Sequence, residues 1–202
     1  MGTGGYVLCE YESVRQQFPE FKDTLDDLKR RVIQKAEEDW DPMKFGGMNP
    51  DLSARQFGWT TLQPSLFRGF GGAAGAILTT WEQIFTATGS QTILAGASTG
   101  STIYRDYKVG IAGFAFLTKA IKISEVKMQI SDKKLPRVNI EEVMVYNKPA
   151  LVFEEGFVLD EQTGFDLHAY VLSRGVSSIK PIGFQVNRIK DKLLTNTGVA
   201  LG

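Results

Sequence analysis

The sequence predicts a mainly β chain: an antiparallel β-sandwich of about eight strands, preceded by an N-terminal helical and extended arm. Three observations carry this. From Gln91 onward, short runs of β-branched and aromatic residues alternate with clusters of Gly, Ser, Asn and Asp. No helical pattern of about 10–15 residues separates those runs, which argues against parallel βαβ units. Ahead of them, residues 19–41 carry an apolar stripe at helical spacing. The expected division is an arm over 1–90, a sandwich over 91–190 and a tail over 191–202.

The helix comes first. Pro19 suits a first helical turn, where its missing N–H costs nothing. Phe21, Leu25, Leu28, Val32, Ala36 and Trp40 then recur at steps of three or four, which makes one apolar face. Glu20, Asp23, Asp26 and Asp27 precede Lys29, Arg30, Arg31 and Lys35, an order that suits the helix dipole. Glu37-Glu38-Asp39 runs against the dipole, and Asp41-Pro42 is the stop. The stripe must pack on its own core or on a neighbouring copy.

Residues 42–72 set large side chains (Phe57, Trp59, Phe67 and Phe70 among them) between Gly, Pro, Asn and Ser without a sustained period. A solvated linker would expose too much apolar surface, so the expectation is an ordered extended arm lying along a surface in cis or in trans. Gly69, Gly71 and Ala74 match a loose G-x-G-x-x-A, but Pro64 lies upstream and no acid follows at dinucleotide spacing; a close-packed glycine segment is the better reading. Gly96–Ser101 lacks the lysine of a phosphate loop.

The strand candidates are Gln91–Leu94, Thr102–Tyr107, Val109–Leu117, Ile121–Ile130, Ile140–Tyr146, Ala150–Leu159, Phe165–Val171 and Ile179–Val186. Ile121-Lys-Ile123 and Val126-Lys-Met128-Gln-Ile130 alternate in opposite phases, so a bulge is expected at Ser124-Glu125. Pro181 points to a sheet edge or a strand start.

Composition bounds the chemistry. The chain has 202 residues, 23 basic against 23 acidic, one Cys and one His. Zero net charge excludes nucleic-acid binding driven by overall charge, and no specific nucleic-acid binding is expected. Cys9 alone allows no intrachain disulfide, and His168 alone allows no site built on two imidazoles from one chain. The first residues carry no charged leader followed by an apolar run, so no export by signal peptide is expected.

Four clusters remain. His168 sits in an alternating strand with Asp166 and Tyr170 on its face, away from Phe165, Leu167, Ala169 and Val171; a solvated polar face is the expectation over base catalysis. Asp160, Glu161, Thr163 and Asp166 read as a polar turn rather than a calcium loop. Glu154-Glu155 points to opposite faces unless the strand is bulged. Lys119, Lys122, Lys127, Lys133 and Lys134 are close in sequence, but Lys122 and Lys127 fall in opposite strand phases. No catalytic residue, metal or cofactor is expected.

The stretches Pro149-Ala-Leu-Val-Phe-Glu-Glu-Gly-Phe-Val-Leu-Asp, Phe165-Asp-Leu-His-Ala-Tyr-Val and Ile179-Lys-Pro-Ile-Gly-Phe-Gln-Val, behind a helical and extended arm, resemble the jelly-roll capsid proteins of icosahedral viruses. The resemblance covers the pattern of roughly residues 90–190. It implies a non-enzymatic, self-assembling shell subunit located in the virion and made in the host cytoplasm. Its partners would be copies of itself, other virion proteins and an internal membrane. The chain departs from one common version of the family: residues 1–90 carry 9 basic and 12 acidic residues, so the arm is not basic. The residues expected to serve assembly or packing are Phe21, Leu25, Leu28, Val32, Trp40, Phe57, Trp59 and Phe67. The alternative is a non-enzymatic β-sandwich binding module, for example for carbohydrate, with Tyr104, Tyr107 and Tyr146 as candidate aromatics.

Overall fold

A computed structural model describes residues 6–9, 19–40, 57–118, 122–141 and 150–188, with the side chains at 6–9, 19–21 and 57 outside that description. Twelve strands and one α-helix follow one another in those segments. They are β1 Tyr6–Cys9, α1 Pro19–Asp39, β2 Phe57–Thr61, β3 Phe67–Arg68, β4 Glu82–Phe85, β5 Gly89–Gly96 and β6 Tyr107–Phe116. Then come β7 Ile123–Ile130, β8 Lys133–Lys134, β9 Val138–Asn139, β10 Ala150–Leu159, β11 Phe165–Val171 and β12 Gly175–Arg188.

The strands form two antiparallel sheets. Sheet 1 runs β1-β10-β6-β12-β2, with β4 also on β12; sheet 2 runs β3-β5-β11-β7-β8, with β9 also on β7. Take β2, β5, β6, β7, β8, β10, β11 and β12 as the first to eighth main strands. First pairs with eighth and third with sixth in sheet 1; second pairs with seventh and fourth with fifth in sheet 2. One long antiparallel ribbon, rolled so that successive pairs fall in alternate sheets, is a jelly roll.

Alternation explains the layers. In β11 Phe165, Leu167, Ala169 and Val171 are buried between the sheets, as their period of two requires. β6 is buried along both faces: Val109, Ile111, Phe114 and Phe116 enter the inter-sheet core, while Ala112 and Ala115 join clusters beneath α1. The step from odd to even numbers sits at Ala112, where the pairing with β12 slips between Gly113 and Ile111. In β7 the slip falls at Ser124, the position the alternation marks: Tyr170 pairs with Glu125 and Val171 with Ile123. β12 is interior to sheet 1, yet Pro181 costs no ladder bond. Ile179 N donates to Trp81 O on the side away from β6, and alternation turns position 181 the same way. There β4 pairs only with 175–178 and β2 only with 184–188, so Pro181 stands in a local edge.

The sandwich takes in chain ahead of residue 91. β1, β2, β3 and β4 all pair into the sheets, and Leu62, Leu66 and Phe67 are buried in the main core. Residues 57–72 are therefore sheet and core rather than an arm laid on a surface. Their short strands and 3₁₀ turns (Pro64–Leu66 and Gly72–Ala74) hide the alternation that longer strands display. Two of the expected strands also differ: Thr102 makes only isolated bridges, and residues 142–146 lie outside the described residues.

Candidate functional site

The helical stripe is packed in cis. Leu28, Val32, Ala36 and Trp40 are buried against Ala112 and Val186, and Leu25 packs on Ala115, Ala150, Val152 and Ile182. The floor is made of small residues for a steric reason. A Cβ on Gly110 would lie 2.7 Å from Val32 Cγ2, and one on Gly156 would lie 2.7 Å from Leu28 Cδ2. Glycine there lets the helix sit at van der Waals distance from the sheet. Phe67 lies between the sheets, with ring centroids 5.9 Å from Trp81 and 5.8 Å from Phe165. Trp59, on β2, is 44% exposed, and Lys29 Nζ lies 3.4 Å over its ring. The side chains of Phe21 and Phe57 lie outside the described residues. Of the eight residues expected to serve assembly or packing, Leu25, Leu28, Val32, Trp40 and Phe67 thus build this chain's own interior.

The C-terminal end of α1 is fastened by charge. Lys108 is fully buried, with Nζ 2.6 Å from Asp39 Oδ2 and 2.8 Å from Asp160 Oδ1. Trp40 Nε1 donates to Glu161 Oε1 at 3.2 Å, and Glu161 Oε2 accepts the Asp106 backbone N–H at 2.9 Å. Burial pulls the Lys108 pKa down, but hydrogen bonds to Asp160 and Asp39 push it up further, and it ends above the ordinary lysine value. The Lys108 hydrogen bond, against the cost of burial, holds Asp39 below the usual carboxylate range. This explains the acid at the wrong end of the helix dipole: Asp39 answers a lysine 69 residues away. It also gives Asp160 and Glu161 a structural task. Among the described residues no group of three or more His, Cys, Asp or Glu is placed to hold a metal.

Sheet 2 presents the polar face that the alternation of β11 predicts. His168 stands on it between Thr92 of β5 and Lys127 of β7. Its Nδ1 is 3.0 Å from Thr92 Oγ1, so a hydroxyl rather than Asp166 orients the ring. Asp166 has its pKa raised by burial, with Ser101 and His168 opposing. A shallow depression of about 110 Å³ opens beside His168, lined by Lys127, Gln129, Lys134, Arg137 and Tyr170 among others. That is well below the roughly 300–1,000 Å³ of an enclosing small-molecule pocket. Lys122, by contrast, donates to the Arg174 carbonyl at 3.1 Å and does not line the depression.

A third surface escaped the reading from sequence. Ile84 of β4 pairs directly with Val176 of β12, and they are 64% and 48% exposed. Leu117, 54% exposed, is bonded through its N–H to Ser178 O next to them. The signal was present in Glu82-Gln-Ile-Phe85, whose burial alternates so that Ile84 takes the solvent side and Phe85 the core.

The remaining candidates have structural places. Tyr104 and Tyr107 pack against the main core, and Tyr146 lies outside the described residues. Glu154 and Glu155 are exposed where the β10–β6 pairing slips between Val152 and Phe157. The glycine segment folds as a tight turn: Gly71 adopts φ 97°, and the Arg68 guanidinium ties Gly75 O to Ala97 O. Among the described residues no helix is long and apolar enough to cross a membrane. The chain matches no family model, no curated protein and no solved structure.

Proposed function

We propose that this chain is a self-assembling structural subunit, a shell protein of the jelly-roll capsid kind. The observation that supports it is the exposed apolar pair Ile84 and Val176, directly paired across β4 and β12, with exposed Leu117 bonded through its N–H to Ser178 O on the other side of β12. The jelly-roll strand order supports it at the level of fold analogy. On this reading the first partner is a second copy of the chain. The place of action is the virion, where other virion proteins and an internal membrane are further contacts.

The test is the mass of the purified full chain by light scattering, with negative-stain microscopy. A closed particle or a large defined ring is the expected result, and Ile84→Asp with Val176→Asp should collapse it to the 22.4 kDa chain without lowering Tm. A wild-type monomer at high concentration would overturn the proposal. Deleting residues 1–72 is the wrong test, because it strips Leu62, Leu66 and Phe67 from the core.

A second reading, a β-sandwich binding module, is favoured by the polar depression on sheet 2.

A further inference from the structure

The depression on sheet 2 is lined by Lys127 and Lys134 beside the Arg137–Glu125 ion pair. Lys127 stands directly across from His168, and Gln129 directly across from Lys134. Lys127 and Lys134 are thus diagonal neighbours on one face, about 7–8 Å apart at the backbone. Neither lysine makes an ion pair among the described residues, whereas Glu125 is taken by Arg137. Thr92 engages His168 Nδ1 and leaves Nε2 for another partner. Asp166, directly across from Gln129, is half-buried and hydrogen-bonded to Ser101. Two ammonium groups, an imidazole nitrogen and the Gln129 amide, whose Nε2 also donates to Ser131 O at 2.9 Å, therefore share one open patch. Beside them Tyr170, paired with Glu125 at the edge of the depression, leaves 47% of its surface in solvent.

We infer that this face binds an anionic saccharide. Lys127 and Lys134 would take the carboxylate or sulfate, while Gln129 and His168 take hydroxyls and Tyr170 offers its ring to a sugar face. The patch is too shallow to enclose a small metabolite and suits a chain lying across the strands. A nucleic-acid strand suits it less: two unanswered lysines on a chain of zero net charge supply little counterion release, and one tyrosine makes no stacking series. The inference does not rest on the assembly reading, since the face belongs to each single chain.

The experiment titrates the full chain, in whatever oligomeric state it adopts, with a glucuronate-containing tetrasaccharide at low salt. A neutral tetrasaccharide, inorganic phosphate and a single-stranded RNA oligomer run in parallel, read by calorimetry. Saturable binding of the acidic sugar alone is expected. Lys127→Gln with Lys134→Gln should weaken it about tenfold or more through the lost charge-assisted hydrogen bonds. Tyr170→Ala should weaken it severalfold, and both variants should keep the wild-type melting curve. Three results would overturn the inference: no saturable binding, binding indifferent to both variants, or phosphate or RNA binding as tightly as the acidic sugar.

Discussion

On the outward side of sheet 1, the row beneath α1 reads Gly110, Ala112, Ala115 and Gly156; on the outward side of sheet 2, β11 and β7 present Asp166, His168, Tyr170, Lys127 and Gln129. Both faces belong to antiparallel sheets over one core, and both use the same period of two. They differ in what covers them. A helix must approach closely to exclude water, so the residues beneath it are small, and the fully buried charge there, Lys108, is matched by two carboxylates. The face of sheet 2 carries side chains long enough to reach water, and its lysines need no internal partner. The buried Lys108 is matched by two acids, whereas half-buried Lys127 and exposed Lys134 make no ion pair among the described residues.

The contrast can be broken most severely from the covered side. Leu28→Asp with Val32→Asp removes two fully buried side chains, a loss of about 3–6 kcal/mol from burial alone. Urea unfolding should show that loss together with a drop in helical circular dichroism; an unchanged midpoint would mean that the stripe is not buried.

Asp39→Asn with Asp160→Asn leaves Lys108 buried without a counter-charge and should cost about 3–5 kcal/mol. The pH dependence sharpens this. Asp39 is depressed below its ordinary 3.8, so its contribution is complete above that value and is lost as pH falls through the lower, folded pKa. Lys108 is raised above 10.5, so its contribution is complete below that value and is lost as pH rises through the higher, folded pKa. Acid titration of the wild type should therefore loosen α1, and Asp39→Asn should flatten that part of the profile. A wild-type profile that stays flat in acid would remove the clamp from the account.

Gly110→Val tests the floor and should cost about 1–3 kcal/mol by overpacking against Val32 and Leu28. A melting temperature equal to wild type would show that the helix can lift without cost. The smallest effect belongs to the bare face: His168→Ala or Lys127→Ala should move stability by no more than about 0.5 kcal/mol. A larger loss on denaturant unfolding would turn that face into a structural one.

Much of the fold was legible residue by residue. The helix Pro19–Asp39, the alternation of Phe165–Val171, the slip at Ser124 and the local edge at Pro181 each follow from a rule that acts over a few neighbours. β2, β3 and β4 were not legible, because strands of two to five residues between glycines and 3₁₀ turns are too short for a period to declare itself. Assigning residues 57–72 to an arm followed from that, while residues 42–56 lie outside the described residues. The polar face of β11 was legible as a face. Its depression was not, since Lys127, Lys134 and His168 meet only through pairing between β7, β8 and β11.

By itself the sequence determined the elements and the sidedness of the longer ones, because propensity and periodicity are local. It also bounds the chemistry of one chain, because a single histidine and a single cysteine supply no two-imidazole site and no disulfide within it. The tertiary structure alone decided which copy of the sheet the helical stripe covers, why Asp39 ends the helix, and which apolar residues remain outside. Those are questions of partnership between residues far apart in the chain, such as Asp39 with Lys108 or Ile84 with Val176, and a local pattern holds no record of the distant half of a pair.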